Sequence, residues 1–174
     1  MPEGIEQSEK LAYYLKNMQN EYNIQKIISS DLKRAKQTAD IIKEKLEIPI
    51  EYTEKLREMN NGELAGMLNE EAERLYPGLY YNTLGIDEKY PNGESPKEFY
   101  NRIEKNFVEI IDENKGIENI LLVTHSGVIN IIYHIIKNID WSNKQKSFPI
   151  NCASIHRVVI NNNISFIDVE NYIF

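Results

Sequence analysis

The sequence predicts an α/β fold built on a mostly parallel sheet with an antiparallel edge. Three observations carry this. Stretches with apolar residues at helical spacing alternate with short apolar runs of strand length. One of those runs, Asn-Ile-Leu-Leu-Val-Thr at 119–124, shows no in–out alternation, as expected of a central parallel strand covered on both faces. Near the C-terminus, Ser-Ile-His-Arg-Val-Val-Ile and Ile-Ser-Phe-Ile-Asp-Val-Glu flank Asn-Asn-Asn at 161–163, the pattern of a hairpin.

Taken in order, residues 5–22 predict a helix, with Leu11, Tyr14, Leu15, Met18 and Tyr22 on one face. Lys26–Ser30 reads as a strand. Ser30 or Asp31 then caps a helix running to about Leu46, with Leu32, Ala35, Ala39 and Ile42 facing inward. Residues 48–52 form another short strand. The segment 53–95 holds much of the Gly and Pro and reads as loops around one short helix near 68–76, with Gly62 and Gly66 as turn residues. Ser95 and Glu98 have the capping-box spacing and open a helix whose buried stripe is Phe99, Ile103, Phe107, Ile110 and Ile111. After the 119–124 strand, residues 128–139 form a strongly apolar helix. No repeat or linker interrupts the chain, so residues 1–174 read as a single domain.

Composition narrows the function. A formal net charge of −7 excludes a sequence-independent nucleic-acid binder, which needs a basic surface. Any anion site must therefore be built locally, against the overall field. The single cysteine, Cys152, excludes an intrachain disulfide and a cysteine-rich zinc site, and it fits a reducing, cytoplasmic setting. No apolar run is long enough to span a bilayer, and the first residues have neither the basic nor the apolar part of a targeting signal.

In open α/β sheets, ligands bind at the carboxyl ends of the strands. Two strand-to-helix junctions here carry unusual side chains. In Ser-Ser-Asp-Leu-Lys-Arg-Ala-Lys (29–36) three cations crowd the positive end of a helix. Lys33 and Lys36 read as solvated surface charge. Arg34 reads either as surface or as a ligand for a bound anion. In Val-Thr-His-Ser-Gly-Val (123–128) a histidine, His125, ends a buried strand and abuts a helix N-terminus, which favours the neutral imidazole and turns N–H groups toward an anion. His134 and His156, inside a helix and a strand, read as structural. Glu58, in the loop after the 48–52 strand, reads by itself as a surface glutamate.

Together these stretches resemble the histidine phosphatase superfamily, the phosphoglycerate-mutase-like enzymes. Ser-Ser-Asp-Leu-Lys-Arg-Ala-Lys-Gln-Thr-Ala (29–39) looks like its second-arginine motif, and Leu-Arg-Glu-Met-Asn-Asn-Gly-Glu-Leu-Ala-Gly (56–66) like its acid loop. The segment 91–103 resembles its Gly-Glu-Ser segment and the helix after it, Val-Thr-His-Ser-Gly-Val-Ile its second-histidine motif, and Asn-Cys-Ala-Ser (151–154) is also family-like. The motifs stand in the family's order. The resemblance implies a three-layer phosphoglycerate-mutase-like fold. Arg34 and His125 would bind phosphate, His125 and Glu58 would be catalytic, and Glu58 would protonate the leaving group. It implies no metal and no cofactor, and a small phosphorylated substrate or inorganic phosphate as ligand.

The family's nucleophile is a histidine in an Arg-His-Gly motif at the end of its first strand, and no Arg-His-Gly occurs among the 174 residues. The start, Met-Pro-Glu-Gly-Ile-Glu-Gln-Ser-Glu-Lys, resembles the family's segment leading into its first helix. The first central strand is therefore expected to be missing beside residues 119–125. That would leave a gap or an exposed apolar edge, to be relieved by the neighbouring strands closing up or by a second copy in a homodimer. The resemblance implies a phosphomonoesterase, phosphatase rather than mutase because the chain is short, and inactive or impaired without the nucleophile. An α-ribazole-phosphatase-like enzyme is one possibility among several. The alternative is a non-catalytic phosphate-ligand or protein-binding module that keeps the fold. Tyr76, Tyr80 and Tyr81 are candidates for the pocket entrance, the core or the surface.

Overall fold

The computed structural model describes residues 2–145, 147–161 and 164–173. Helix α1 (Pro2–Asn17) buries Ser8, Leu11, Ala12 and Leu15. It stops short of the expected Tyr22: Met18 interrupts it, one further turn, α2 (Gln19–Tyr22), follows, and Asn23 in the left-handed region ends that turn. The break lets Tyr22 fold back, with its hydroxyl 3.3 Å from that of Tyr14.

Strand β1 (Lys26–Ser30) matches its expected span. Helix α3 (Lys33–Leu46) buries Ala35, Ala39, Ile42 and Leu46, but its N-cap position is Leu32, not Ser30 or Asp31. Both expected caps are otherwise engaged. The Ser30 hydroxyl is 2.9 Å from His125 Nε2, and the Asp31 carboxylate accepts from Arg57 Nε at 2.6 Å. Strand β2 (Ile50–Thr53) leads through a 3-10 turn at Glu54–Leu56 into the 57–68 loop, and α4 (Asn69–Leu75) is the expected short helix.

Helix α5 (Pro96–Glu113) opens on the predicted capping box. Ser95 Oγ accepts from the Glu98 N–H at 3.2 Å, and Glu98 Oε2 accepts from the Ser95 N–H at 3.1 Å. Strand β3 (Ile120–Val123) is followed closely by α6 (Ser126–Lys137), with His125 at its N-cap. Strands β4 (Ile155–Asn161) and β5 (Ile164–Tyr172) form the antiparallel hairpin. Its expected tip, Asn162 and Asn163, lies outside the described residues.

The parallel sheet has the order β2-β1-β3, with Ser29 level with Tyr52 on one side and with Val123 on the other. Alternation along β1 divides the core. Ile27 packs with Leu11, Leu15, Ala39 and Ile42 of α1 and α3, whereas Ile28 packs with Phe99, Ile103, Val128 and Ile131 of α5 and α6. Helices thus cover both faces, giving three layers. No helix among the described residues is long and apolar enough to cross a membrane.

Two expectations are corrected here. The antiparallel pair is a separate sheet, not the edge of the parallel one. And β3 is not fully covered on both faces: three of its four residues are only partly buried, and it ends its sheet, the exposed edge expected where a neighbouring strand is missing. Among the described residues β3 and β4 do not pair, so the neighbouring strands have not closed up on each other.

Candidate active site

All three parallel strands end on the same side, and each delivers part of one polar cluster. From the β1–α3 junction come Ser30 and Arg34. The turn after β2 brings Glu58, and the β3–α6 junction brings Thr124, His125 and Gly127. The Thr124 hydroxyl donates to the Leu56 carbonyl at 2.9 Å and ties the β3 tip to the Glu58 loop.

Arg34 Nε donates to His125 Nδ1 at 3.1 Å, across 91 positions of sequence. A guanidinium N–H can only donate, so Nδ1 must be the unprotonated nitrogen. Nε2 then carries the ring proton and donates to Ser30 Oγ, 2.9 Å away. The buried imidazole is therefore neutral. Burial first, and the Arg34 charge second, lower its pKa to about 4. Arg34 itself is exposed, so its fork can also be reached from solvent.

Glu58 is half-buried. Its Oε2 accepts from the Gly127 N–H at 3.0 Å and its Oε1 from the Met59 N–H at 3.3 Å. Burial pushes the carboxyl above the ordinary range. The Gly127 and Met59 amides and the charges of Arg34 and Arg102 oppose the shift without cancelling it. A Cβ at position 127 would lie 2.3 Å from Glu58 Oε1, so any larger residue there would push this carboxyl from its present place. The site thus assembles a fixed positive charge, a neutral imidazole and a carboxyl that holds its proton unusually well. That set suits an oxyanion and a group that must be protonated as it leaves.

These two shifts act oppositely on stability. Below the ordinary histidine pKa of about 6.5 the unfolded chain takes up a proton that folded His125 resists. Stability from this group therefore falls with pH, by about 2 kcal/mol at about pH 5, given its folded value of about 4. Glu58, raised in the fold, is protonated first in the folded state and partly offsets the loss. Urea unfolding at about pH 7 and pH 5 should show a shallower acid loss for His125→Gln than for the unaltered chain, and a steeper one for Glu58→Gln. An unchanged pH dependence in His125→Gln would contradict the buried neutral imidazole.

The remaining candidates lie elsewhere. Lys36 stands over the Tyr52 ring, 4.6 Å from its centroid, and Lys33 is exposed, both as expected of surface cations. His134, 1% exposed, is bonded to the Asn130 carbonyl at 2.8 Å and to Ser147 Oγ at 3.1 Å. His156 sits between Tyr133 OH at 2.7 Å and Ser154 Oγ at 2.9 Å. Both fit a structural reading. Of the three tyrosines, Tyr76 donates to Glu63 and Tyr80 to Glu73 on the outside. Tyr81 is 37% exposed, and its phenol pKa is raised, by desolvation first and then by the Glu58 charge.

Sequence reasoning misses Gly127, Ser30 as a partner of His125, and the pair Glu94–Arg102. Gly127 carries a usable signal, a glycine in the first turn of an apolar helix. The eight-residue spacing of Glu94 and Arg102 matches no regular element, although both residues lie in the family-like segment 91–103.

Comparison with known proteins gives the family and the fold. Residues 1–171 match the profile of the histidine phosphatase superfamily (branch 1). The broad-specificity phosphatase YOR283W of Saccharomyces cerevisiae is 33% identical over 141 residues, covering 78% of this chain and 58% of that protein. The phosphoglycerate mutase-like protein 4 of Arabidopsis thaliana is 34% identical over 134 residues, covering 75% and 56%. The chain thus spans little more than half the length of these relatives. Among solved structures, the alpha-ribazole phosphatase from Shigella flexneri superposes with a TM-score of 0.82 at 22% identity, over 99% of this chain and 83% of that one. A mycobacterial glucosyl-3-phosphoglycerate phosphatase in complex with inorganic phosphate superposes with a TM-score of 0.74 at 20% identity, over 94% and 84%.

Proposed function

The chain belongs to the histidine phosphatase superfamily, and from that premise we propose that its site is that of a phosphomonoesterase. In this reading Arg34 and His125 hold the phosphoryl oxygens and Glu58 protonates the departing one. The observation that carries it is the direct Arg34–His125 hydrogen bond, 3.1 Å long, beside a half-buried carboxyl anchored on the Gly127 N–H. Arg34 uses the imidazole lone pair as its acceptor. A phosphate oxygen is a stronger acceptor, so a phosphate would take the guanidinium; Nδ1, released by Arg34, can then accept from a phosphate hydroxyl or take up a proton and donate to a second oxygen.

In this reading the attacking group is not among the three histidines: His125 is occupied in binding the phosphate, and His134 and His156 are engaged in the fold through both ring nitrogens. The reading places the attacking group beside the outer edge of β3, where the parallel sheet ends. A second copy of the chain pairing there would cover the same edge. The curated relatives carry both phosphatase and mutase-like names, while the solved neighbours reported above are named phosphatases, and the phosphate complex of the mycobacterial one supports a small phosphorylated ligand. The single cysteine, Cys152, exposed and free, fits a cytoplasmic setting.

Inorganic phosphate should bind the chain as it stands. Calorimetric titration should show affinity falling roughly tenfold or more in Arg34→Ala, the cost of a charge-assisted hydrogen bond. Phosphate binding that Arg34→Ala leaves unchanged would rule out this site.

A further inference from the structure

Glu58 lies on an irregular loop, and no strand ladder or helix fixes its backbone. Besides the Thr124–Leu56 bond, the restraint comes from α5. Arg102 Nη1 donates to the Arg57 carbonyl at 3.2 Å, and Nη2 to the Glu58 carbonyl at 3.3 Å. The same guanidinium is held by Glu94, with Nε on Oε1 at 2.6 Å and Nη2 on Oε2 at 2.9 Å. Glu94 grips the loop as well. Its Oε2 accepts from the Asn60 N–H at 2.8 Å, and its own N–H donates to the Asn60 carbonyl at 2.9 Å. The guanidinium also packs over Phe99, a core residue 1% exposed, with 5.2 Å to the ring centroid. One ion pair therefore fastens residues 57, 58 and 60 to a rigid helix, through the loop backbone rather than through the carboxyl that Gly127 holds.

We propose that Arg102, braced by Glu94, is the positioning residue for Glu58: it fixes the backbone from which the carboxyl reaches the Gly127 N–H, without itself touching the substrate. This rests on the reading of Glu58 as the proton donor only for its consequence in catalysis; the positioning is a matter of this fold alone. The residue must be arginine. Three separate nitrogens are used at once in a planar fork, and a lysine ammonium keeps the charge but not that geometry. A residue present only to neutralise Glu94 would tolerate the exchange.

Arg102→Lys separates the two. In the 15N-labelled chain, the Gly127 amide should shift with pH as Glu58 ionises, because that N–H is bonded to its carboxylate. Glu58→Gln should remove the inflection and so identify its source. In Arg102→Lys the amplitude should fall by roughly half or more, while amides of β1 and α6 beyond the site keep their positions. Glu94→Gln, the milder change, leaves the guanidinium in place but weakens its brace; it should give a smaller fall of the same sign and carries the test if Arg102→Lys does not fold. A wild-type amplitude in whichever of these variants folds would overturn the proposal. Failure of the phosphatase reading would show instead as absent phosphate binding with the Gly127 response intact.

Discussion

p-Nitrophenyl phosphate should be turned over by the 174-residue chain roughly 10⁴- to 10⁶-fold more slowly than by the same chain extended at its N-terminus with an Arg-His-Gly strand, the range seen when a nucleophile is removed from a working site. The expectation follows from where each histidine proton is held. His125 gives its lone pair to Arg34 and its N–H to Ser30, and a pKa lowered to about 4 makes it a poor base. His134 and His156 are bonded within the fold through both nitrogens. An added parallel strand has a place to pair, the outer edge of β3, and would end where Arg34 and His125 meet. Fast hydrolysis by the unextended chain, abolished by His125→Ala, would show that the nucleophile has been misjudged. An extended chain that binds phosphate but turns nothing over would favour the non-catalytic module.

The second large effect concerns the leaving group. In the extended chain, Glu58→Gln should slow hydrolysis of an alkyl phosphate by roughly 10²- to 10⁴-fold, the usual worth of general acid catalysis, and slow p-nitrophenyl phosphate far less. p-Nitrophenolate departs without a proton, whereas an alkoxide does not. The half-buried carboxyl, with its pKa raised by burial, keeps the proton available closer to neutral pH than a surface glutamate would. The substitution keeps the size of the side chain, and the new amide oxygen can still accept from the Gly127 N–H, at the loss of the longer bond from the Met59 N–H. Equal slowing of both substrates would mean that Glu58 positions the substrate or the fold and does not supply a proton.

Local rules are legible wherever neighbours in sequence determine the outcome. The Ser95–Glu98 capping box forms with both of its bonds, and β1, α4 and the strands of the hairpin lie close to where patterning puts them. Patterning fails where a distant partner decides. Ser30 and Asp31 have the chemistry of helix caps, but His125 and Arg57 claim them, so the cap position falls to Leu32. The apolar run Ile120–Val123 reads as central because an apolar strand looks the same whether or not another strand lies on its far side. The same limit governs the site. Separate motifs point to Arg34, Glu58 and His125, and the fold brings Arg34 onto His125 and sets Glu58 on the first turn of α6. The Arg102–Glu94 brace, made from a loop and a helix, has no spacing that a regular element would give, although both residues lie in the family-like segment 91–103.

The most direct measurement follows the site's own signals during addition of inorganic phosphate. In the 15N-labelled chain, the Arg34 Nε–H, the His125 ring nitrogens and the Gly127 amide should move together and saturate at one phosphate concentration, with Arg34→Ala removing the response of the other two. Phosphate binding that leaves the Arg34 and His125 signals in place, or that moves the three with different saturation points, would show that these residues do not form one phosphate site.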